Sequence, residues 1–134
     1  MSNPNQPTID EFRANKGRVG GPFEGKPLLL LHHVGAKSGT ARVSPLMYQA
    51  LNGDYVVFAS KGGSDTNPAW YHNLRANPAS EVEVGTKTVA VTARIATTQE
   101  RAEIWPKWKE RYPQFAGYER KTKRQIPVLI LESR

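Results

Sequence analysis

Apolar residues in the first half of the chain occur in runs of strand length bounded by turn residues. Residues 27–34 are a nearly unbroken apolar run, which predicts a central strand covered on both faces, and residues 41–51 predict a second strand. The Asn52-Gly53 pair is a two-residue hairpin signal, so we expect the chain to return as a third strand over residues 54–60. This part of the chain therefore predicts antiparallel strands joined by short turns.

The second half of the chain adds a hairpin and a final strand. Polar and apolar residues alternate over residues 80–84 and 86–95, which predicts a hairpin around Gly85, and residues 125–131 form the last apolar run. Pro45, inside the second predicted strand, cannot donate a ladder hydrogen bond, so we expect a bulge or a sheet edge there. About six mostly antiparallel strands predict a mainly β fold that closes into a small barrel with flanking helices.

A short helix is predicted near the N-terminus. It covers residues 8–16, with Thr8 as its cap and Glu11 as the capping-box partner. We expect residues 1–7 to form a flexible leader and residues 8–134 to form a single domain.

Two further helices are predicted in the interior of the chain. Residues 68–77 suit a helix with Asn67 as its cap and Pro68 at its first position. Residues 98–112 suit a charged helix, and Pro106 inside it is expected to kink or split it. These helices would lie against the outside of the barrel or over its ends.

Composition and charge restrict the chemistry that the protein can perform. The 134 residues include no cysteine, which excludes disulfides, thiolate nucleophiles and cysteine-rich metal sites. His32 and His33 are neighbours on a predicted strand and point to opposite faces, so we expect one packed and one exposed histidine rather than a metal site. The net charge of +7 favours an anionic partner, and a nucleic acid, an anionic membrane and a polyanionic small molecule all satisfy it.

The sequence also carries an expectation about location. No apolar stretch approaches the roughly 20 residues of a membrane-spanning helix. The first residues have neither the basic nor the apolar region of a secretory signal. We therefore expect a cytoplasmic protein, with weak peripheral membrane contact as a minor alternative.

Two glycine-bearing turns carry cations and hydroxyl groups. The first turn follows the first predicted strand and contains Lys37, Ser38, Gly39 and Arg42. The second turn follows the third predicted strand and contains Ser60, Lys61, Gly62 and Gly63. Glycine lets main-chain N–H groups converge on one point and the cations supply charge there, so the two turns together predict one anion-binding pocket. Taken singly, the first turn is better explained as an ordinary basic hairpin turn, and the second as the exit of a hairpin.

Aromatic residues near these turns have two interpretations. Trp70 and Tyr71 either cover a flat ring system or pack in the core. A later aromatic series, Tyr112, Phe115 and Tyr118, recurs at every third residue. It either packs onto the barrel or forms an apolar pocket in which a tyrosine hydroxyl orients a substrate or donates a proton.

Reactivity from side chains alone has little support. A late basic cluster forms either a solvated face or an anion channel, and consists of Lys107, Lys109, Arg111, Arg120, Lys121, Lys123 and Arg124. No Ser-His-Asp order and no paired catalytic carboxylates stand out, and neither a Walker phosphate loop nor a G-x-G-x-x-G segment is present. A cofactor would therefore have to bring the reactivity.

These segments together resemble the deazaflavin-dependent nitroreductase family. The resemblance rests on residues 27–46, the turn at residues 60–63, the N-P-A-W-Y-H-N-L-R-A-N-P segment at residues 67–78 and the tail Ile126-Pro127-Val128. Members of the family use coenzyme F420 and adopt a split β-barrel related to flavin-binding reductases. The resemblance thus implies hydride transfer from reduced F420 to an electron-poor acceptor, such as a quinone, a nitroaromatic compound or an unsaturated lactone.

The resemblance also implies roles for particular residues. Those that would hold the coenzyme phosphate are Lys37, Ser38, Gly39 and Arg42. Pro45 and Leu46 would line the flat ring. The remaining coenzyme contacts would come from Ser60, Lys61, Gly62, Gly63, Pro68, Trp70, Tyr71 and Asn73. Tyr112 and Tyr118 would orient the substrate or donate a proton.

The sequence departs from the family at two places, and alternatives stay open. Ala36 stands where the family often has arginine, and Phe115 stands where nitroimidazole-reducing members carry a tyrosine. The alternatives are a split barrel that binds FMN, and a non-enzymatic basic module that binds nucleic acid or an anionic membrane. With the reductase interpretation we expect a small-molecule acceptor, no nucleic-acid partner, and a homodimer as in related barrels.

Overall fold

The computed structural model describes residues 5–134, which form an antiparallel β-sheet with helices around it. Its strands are β1 (Leu28–Val34), β2 (Ala41–Met47), β3 (Gln49–Leu51), β4 (Asp54–Phe58), β5 (Ala79–Val84), β6 (Lys87–Ile95) and β7 (Val128–Ser133). Its α-helices are α1 (Gln6–Ala14), α2 (Ala69–Ala76), α3 (Thr98–Arg111) and α4 (Gln114–Lys121). Short 3-10 turns cover Gly21–Phe23 and Lys61–Gly63.

The sheet curls so that its two outermost strands come next to each other. Its hydrogen-bonded order is β2-β1-β5-β6-β7-β4-β3, and β2 and β3, at the two ends of this order, are separated in sequence by Tyr48 alone. The sheet must therefore curl until its ends meet, and β2 does contact β4, the neighbour of β3. This arrangement confirms the predicted mainly β split barrel. Among the described residues it has seven strands rather than six, because the predicted strand at residues 41–51 is divided in two.

Pro45 marks an edge of the sheet. It lies in β2 opposite Leu30 of β1, and β2 has β1 as its one hydrogen-bonded neighbour. A proline that lacks an N–H is tolerated in such a strand because no second partner needs the donor. The structure thus selects the edge from the two predicted alternatives.

The apolar run of β1 is buried on both faces, as predicted. Leu29 and Leu31 pack in a cluster with α2, whereas Leu28 and Leu30 pack against α1. None of the four is more than 4% exposed, and burial of such a side chain stabilises the fold by roughly 1.5–3 kcal/mol. A second large cluster joins α3 and α4 to β4 and β7.

The start of α1 differs from its prediction. The helix begins at Gln6 after Asn5, so the prediction of Thr8 as its cap is wrong. The Glu11 carboxylate instead accepts a hydrogen bond from Gly20 N at 2.8 Å, which fastens the following loop to the helix. Part of the predicted leader, residues 1–4, lies outside the described residues, and the division into leader and domain stays a prediction.

The start of α2 also differs. Pro68 occupies the cap position and has no side-chain capping bond, so the prediction that Asn67 caps this helix is wrong. The Asn67 amide oxygen accepts a hydrogen bond from Arg124 Nη1 at 2.8 Å instead. Asn67 therefore holds the loop before α2 rather than the end of the helix.

The third helix carries the capping box that was expected in the first. Thr97 Oγ1 accepts from Glu100 N at 3.1 Å, and the Glu100 carboxylate accepts from Thr97 N at 2.8 Å. The helix continues through Pro106, so of the two predicted effects, a kink or a split, the split is wrong. It is followed by α4, which the sequence analysis did not predict as a separate helix. Among the described residues, no helix is both long and apolar enough to cross a membrane.

Candidate functional site

The first basic turn, residues 35–42, is closed by its own backbone. Gly35 N donates to Thr40 O and Gly39 N donates to Gly35 O, both at 2.9 Å. Gly39 has a φ of +71°, a conformation that glycine adopts without strain. The Ser38 hydroxyl accepts from Thr40 N at 3.2 Å, so it already has a role within the turn.

The cations of this turn project from the surface. Lys37 and Arg42 are both exposed. Among the described residues, neither has a carboxylate partner. They can therefore bind an external anion without first breaking an ion pair.

A buried hydrogen-bonded chain joins this turn to α2. Asn73 Oδ1 accepts from Ala36 N, Asn73 Nδ2 lies beside His33 Nδ1, and His33 Nε2 lies beside Ser44 Oγ, each at 2.9 Å. His33 and Asn73 are each 6% exposed. The Asn73 amide, which the family resemblance assigns to coenzyme contact, is thus hydrogen bonded within the protein.

The environment of His33 disfavours its charged form. Burial, the positive charge of Arg42 and that of His32 lower the pKa of His33 to about 4. His32, on the opposite face of β1, is half-exposed and its Nε2 lies 2.6 Å from Glu83 Oε2. The expectation of one packed and one exposed histidine is therefore confirmed.

The second basic turn, residues 60–63, is held in an unusual backbone conformation. Lys61, Gly62 and Gly63 have φ values of +46°, +62° and +86°. A positive φ is uncommon for lysine and costs energy that the surroundings must supply. Lys61 is exposed, and its Nζ donates to Thr66 Oγ1 at 3.3 Å.

Arg124 holds the second turn in place. Its guanidinium donates to three carbonyl oxygens, those of Ala59 at 3.2 Å, Ser60 at 2.9 Å and Ser64 at 2.9 Å. It also donates to Asn67, and its burial lowers its pKa. The sequence analysis placed Arg124 in a solvated face or an anion channel, and the structure shows it clamping residues 59–67. A charged run gives no signal that separates this arginine from its neighbours.

Tyr118 of α4 lies against the second turn. A Cβ atom built on Gly63 would be 2.8 Å from Tyr118 O and 3.0 Å from Tyr118 Cα. The absence of a side chain at Gly63 therefore sets the distance between the turn and α4. The structure brings together two groups that the sequence analysis named separately, the second basic turn and a candidate substrate tyrosine.

The late aromatic residues form one packed layer. Phe58 stacks on Trp108 at a centroid distance of 4.3 Å, and Tyr112 lies 4.6 Å from Trp108. Phe115 contacts Tyr118 edge-on at 5.2 Å. The two tyrosines are half-buried, and within the described residues their hydroxyl groups have no hydrogen-bond partner. Both hydroxyl groups are thus available to an external ligand.

The aromatic residues of α2 are part of the core. Trp70 and Tyr71 are each 8% exposed and pack with the leucines of β1. The Tyr71 hydroxyl accepts from Arg75 Nη1 at 3.1 Å. Of the two interpretations for these rings, the packed one describes the structure.

Both basic turns are connected to α2. The first is bonded to Asn73 inside the helix, and the second leads into its start at Pro68. Five residues of α-helix separate these points, a rise of about 7.5 Å. Pro45 and Leu46 are half-buried in β2, and Leu46 packs against the cluster that contains α2.

A large cleft lies beside this arrangement. It has a volume of about 900 Å³ and is bounded by α1, β1, β2 and the start of β5. Of the predicted site residues, Arg42 lines it. The other predicted residues lie on the turns, on α2 and on α4.

The sequence of the chain matches a known family and solved structures. The family model described as F420H(2)-dependent quinone reductase matches residues 7–133. The F420H(2)-dependent quinone reductase Rv1261c of Mycobacterium tuberculosis (strain ATCC 25618 / H37Rv) is 41% identical over 128 residues, which are 92% of this chain and 85% of the relative.

Two solved structures extend this similarity to the fold. One, described as the structure of an F420-H2 dependent reductase (FDR-A), is 45% identical, covers 79% of this chain and 94% of its own, and has a TM-score of 0.72. Another, described as a domain-swapped dimer, is 40% identical, covers 96% of this chain and 94% of its own, and has a TM-score of 0.74.

Proposed function

The chain belongs to the family of F420H(2)-dependent quinone reductases, and from this premise we propose that it uses reduced coenzyme F420 to reduce a quinone. The coenzyme supplies a hydride when bound, and the protein aligns the acceptor with it. The class of acceptor is inferred from the family and from the relative Rv1261c, which are both described as quinone reductases. The nitroaromatic compounds and unsaturated lactones of the resemblance are secondary acceptors.

One observation carries the proposal: both basic turns are connected to α2, the first by the hydrogen bond from Ala36 N to Asn73 and the second through residues 64–68. Lys37 and Arg42 project from the first turn without carboxylate partners among the described residues. Lys61 projects from the second turn, where its Nζ has a neutral partner, Thr66. Cations are the charge-assisted donors that a phosphate requires, so these residues fit the phosphorylated coenzyme.

The other predicted residues divide into those that can touch the coenzyme and those that support the site. Pro45 and Leu46 of β2 offer a half-buried apolar surface for the flat ring. Ser60, Gly62 and Gly63 would contact its edge, although the N–H groups of Ser60 and Gly63 already donate to Phe58 O and Ser60 O. The supporting residues are Pro68, Trp70, Tyr71 and Asn73, because all four are buried.

The acceptor would lie next to α4. Reduction of a quinone to a quinol adds one hydride and one proton. The Tyr118 hydroxyl has no partner among the described residues and lies on the helix that contacts the second turn. We assign Tyr118 to binding the acceptor oxygen and supplying that proton, with Tyr112 at the far end of the aromatic layer.

The proposal is tested by titrating the protein with F420 and following the fluorescence of the coenzyme. We expect saturation at micromolar coenzyme. Lys37→Ala and Arg42→Ala should each weaken binding by about 1–3 kcal/mol, because charge-assisted hydrogen bonds contribute about that much. Lys87→Ala, which removes an exposed lysine from the start of β6, is the matched control and should bind normally.

Three results would contradict the proposal. One is the absence of saturation at micromolar F420. Another is saturation by FMN at lower concentration than by F420, which would favour the flavin alternative. The third is salt-sensitive binding to an oligonucleotide by a protein that does not bind either coenzyme.

A homodimer is part of the proposal, supported by the solved relative described as a domain-swapped dimer. Light scattering at micromolar concentration should give twice the monomer mass of 14.9 kDa. A monomer mass at every concentration would reject it. The cytoplasmic location and weak contact with anionic membranes stay predictions.

A further inference from the structure

Resting on the proposed function, the geometry points to His33 as a positioning residue for the coenzyme. Through Asn73, the His33 ring fixes the backbone of the first basic turn in its binding conformation. His33 itself is 6% exposed, so it would act through Asn73 rather than as a direct ligand of the coenzyme.

The backbone N–H of Ala36 determines the direction of every hydrogen bond in the series that runs through Asn73 and His33 to Ser44. Ala36 N can only donate, so Asn73 must present its oxygen to it, at 2.9 Å. The amide nitrogen of Asn73 then faces His33 Nδ1 at 2.9 Å, and Nδ1 must accept. The proton of the neutral ring is therefore on Nε2, which donates to Ser44 Oγ at 2.9 Å. One tautomer of His33 satisfies all three contacts.

The three side chains connect α2 to β1 and β2, two strands that are themselves paired in the sheet. His33 is near the end of β1, Ser44 is in β2 and Asn73 is in α2. Ala36 precedes Lys37, so a shift of the Ala36 peptide moves the lysine that would bind the phosphate. Since the turn is otherwise closed by its own backbone and exposed to solvent, Asn73 is its link to the interior.

The charge state of His33 supports this role. Burial and the charge of Arg42 lower its pKa to about 4. The other groups of α2 that can carry charge, His72 and Arg75, are exposed, and Glu83 on β5 pairs with His32 on the opposite face of β1. The ring is therefore neutral near pH 7, and Nδ1 remains an acceptor for Asn73.

Two substitutions separate the two sides of the ring. His33→Asn keeps a short amide whose oxygen can accept from Asn73, and removes the contact with Ser44. His33→Gln places its amide at the distance of Nε2, so it keeps the Ser44 contact and loses the contact with Asn73. If the link to Asn73 positions the turn, the Asn variant should retain coenzyme affinity within about threefold, whereas the Gln variant should bind roughly tenfold more weakly.

The experiment measures three quantities on each variant. The first is the F420 dissociation constant, the second is kcat with saturating coenzyme, and the third is the hydrogen-exchange rate of the Ala36 amide without coenzyme. Leu74→Ala is the control, because it removes a buried side chain from the same helix without touching the hydrogen bonds. We expect His33→Gln to raise the dissociation constant and the Ala36 exchange rate and to leave kcat within about threefold.

The outcomes distinguish this inference from the proposed function. If the unmodified protein fails to bind F420, the proposed function fails, and the Ala36 exchange rates still test the link. Equal Ala36 exchange rates in His33→Gln and His33→Asn would overturn the inference. It would also be overturned if Leu74→Ala weakened coenzyme binding as much as His33→Gln, because general loosening of α2 would then explain the effect.

Discussion

At the scale of single residues, the geometry of the second basic turn limits which side chains its positions accept. Lys61, Gly62 and Gly63 all have positive φ, but their surroundings differ. A Cβ on Gly62 would meet open space, whereas one on Gly63 would meet the backbone of Tyr118. The two glycines therefore have separate functions, one in turning the chain and the other in letting α4 approach.

This difference predicts the effects of alanine at the two positions. Gly62→Ala should lower the free energy of unfolding by about 1 kcal/mol, the strain of a left-handed alanine. Gly63→Ala should lower it by about 3 kcal/mol, because displacement of α4 adds to that strain. Urea unfolding followed by tryptophan fluorescence measures both. Equal losses for the two variants would show that the contact with α4 is not tight.

Tyr118 gives a residue-scale prediction about turnover. Tyr118→Phe keeps the edge-on contact with Phe115 and removes the hydroxyl. We expect kcat for a quinone to fall by roughly 10²-fold, the contribution of a positioned proton donor, with coenzyme affinity unchanged. Tyr48→Phe is a control because Tyr48 packs against Tyr55, away from α4. Stopped-flow reduction and coenzyme titration separate the two quantities, and an unchanged kcat would remove Tyr118 from its assigned role.

At the scale of elements, Arg124 shows how one side chain can order a whole loop. It comes after α4 in the sequence and reaches back to residues 59–67, where its guanidinium serves several acceptors at once. A planar fork with five N–H donors can do this, and a lysine ammonium cannot serve the same set of directions. The second basic turn therefore depends on an element that is distant in sequence.

Replacing this arginine should loosen the loop selectively. Arg124→Met should lower the free energy of unfolding by about 2–3 kcal/mol, because several carbonyl groups lose their partners. Arg124→Lys should recover less than half of that loss. Lys123→Met, at an exposed neighbouring position, should be neutral. Thermal unfolding gives the stabilities, and amide exchange at residues 59–67 should accelerate in Arg124→Met alone; uniform acceleration over the barrel would contradict the clamp.

The elements also show what the sequence could and could not predict. The strand at residues 28–34 and the hairpin around Gly85 were predictable because their patterns are local and agree with the burial that the fold provides. The break at Tyr48 was not, because the chain leaves one partner strand for another there and no local signal marks the change. The capping box at Thr97 was readable, and the interpretation missed it.

In the candidate site too, local features were predictable and long-range contacts were not. The basic turns were predicted because glycine and lysine, close together in the sequence, indicate a flexible and positively charged turn without knowledge of the fold. The link from His33 to Asn73 was missed because its partners are 40 residues apart and meet only when α2 packs on β1. Arg124 was misassigned because its role depends on contacts 57 to 65 residues away.

At the scale of the whole molecule, His33 makes stability depend on pH. Its pKa is about 4 in the folded protein, against 6.5 as the ordinary value. As the pH falls below 6.5 the unfolded chain takes up a proton that the folded protein does not, so stability is full above that pH and is lost down to about pH 4. The loss should reach about 3 kcal/mol.

The measurement is urea unfolding between pH 7.5 and 4. The wild type should lose stability over this range, and His33→Asn should lose about 3 kcal/mol less. His72→Asn, which removes an exposed histidine, is the control and should follow the wild type. Arg94 and the backbone bond to Thr97 lower the pKa of Glu100 to about 2. Glu100 therefore changes the stability in a separate pH range, below its ordinary pKa of 4.5. An identical slope in His33→Asn would contradict the prediction.

Tyr48 is the covalent link between the two ends of the sheet, because the outermost strands β2 and β3 lie directly before and after it in the chain. An open sheet can unzip from a terminal strand, one ladder at a time. Here, release of β2 from β1 pulls on β3 and therefore on β4, so the ladders are mechanically coupled around the ring. The amides of β1, β4 and β7 should accordingly exchange with solvent in one concerted opening rather than in sequence from an end.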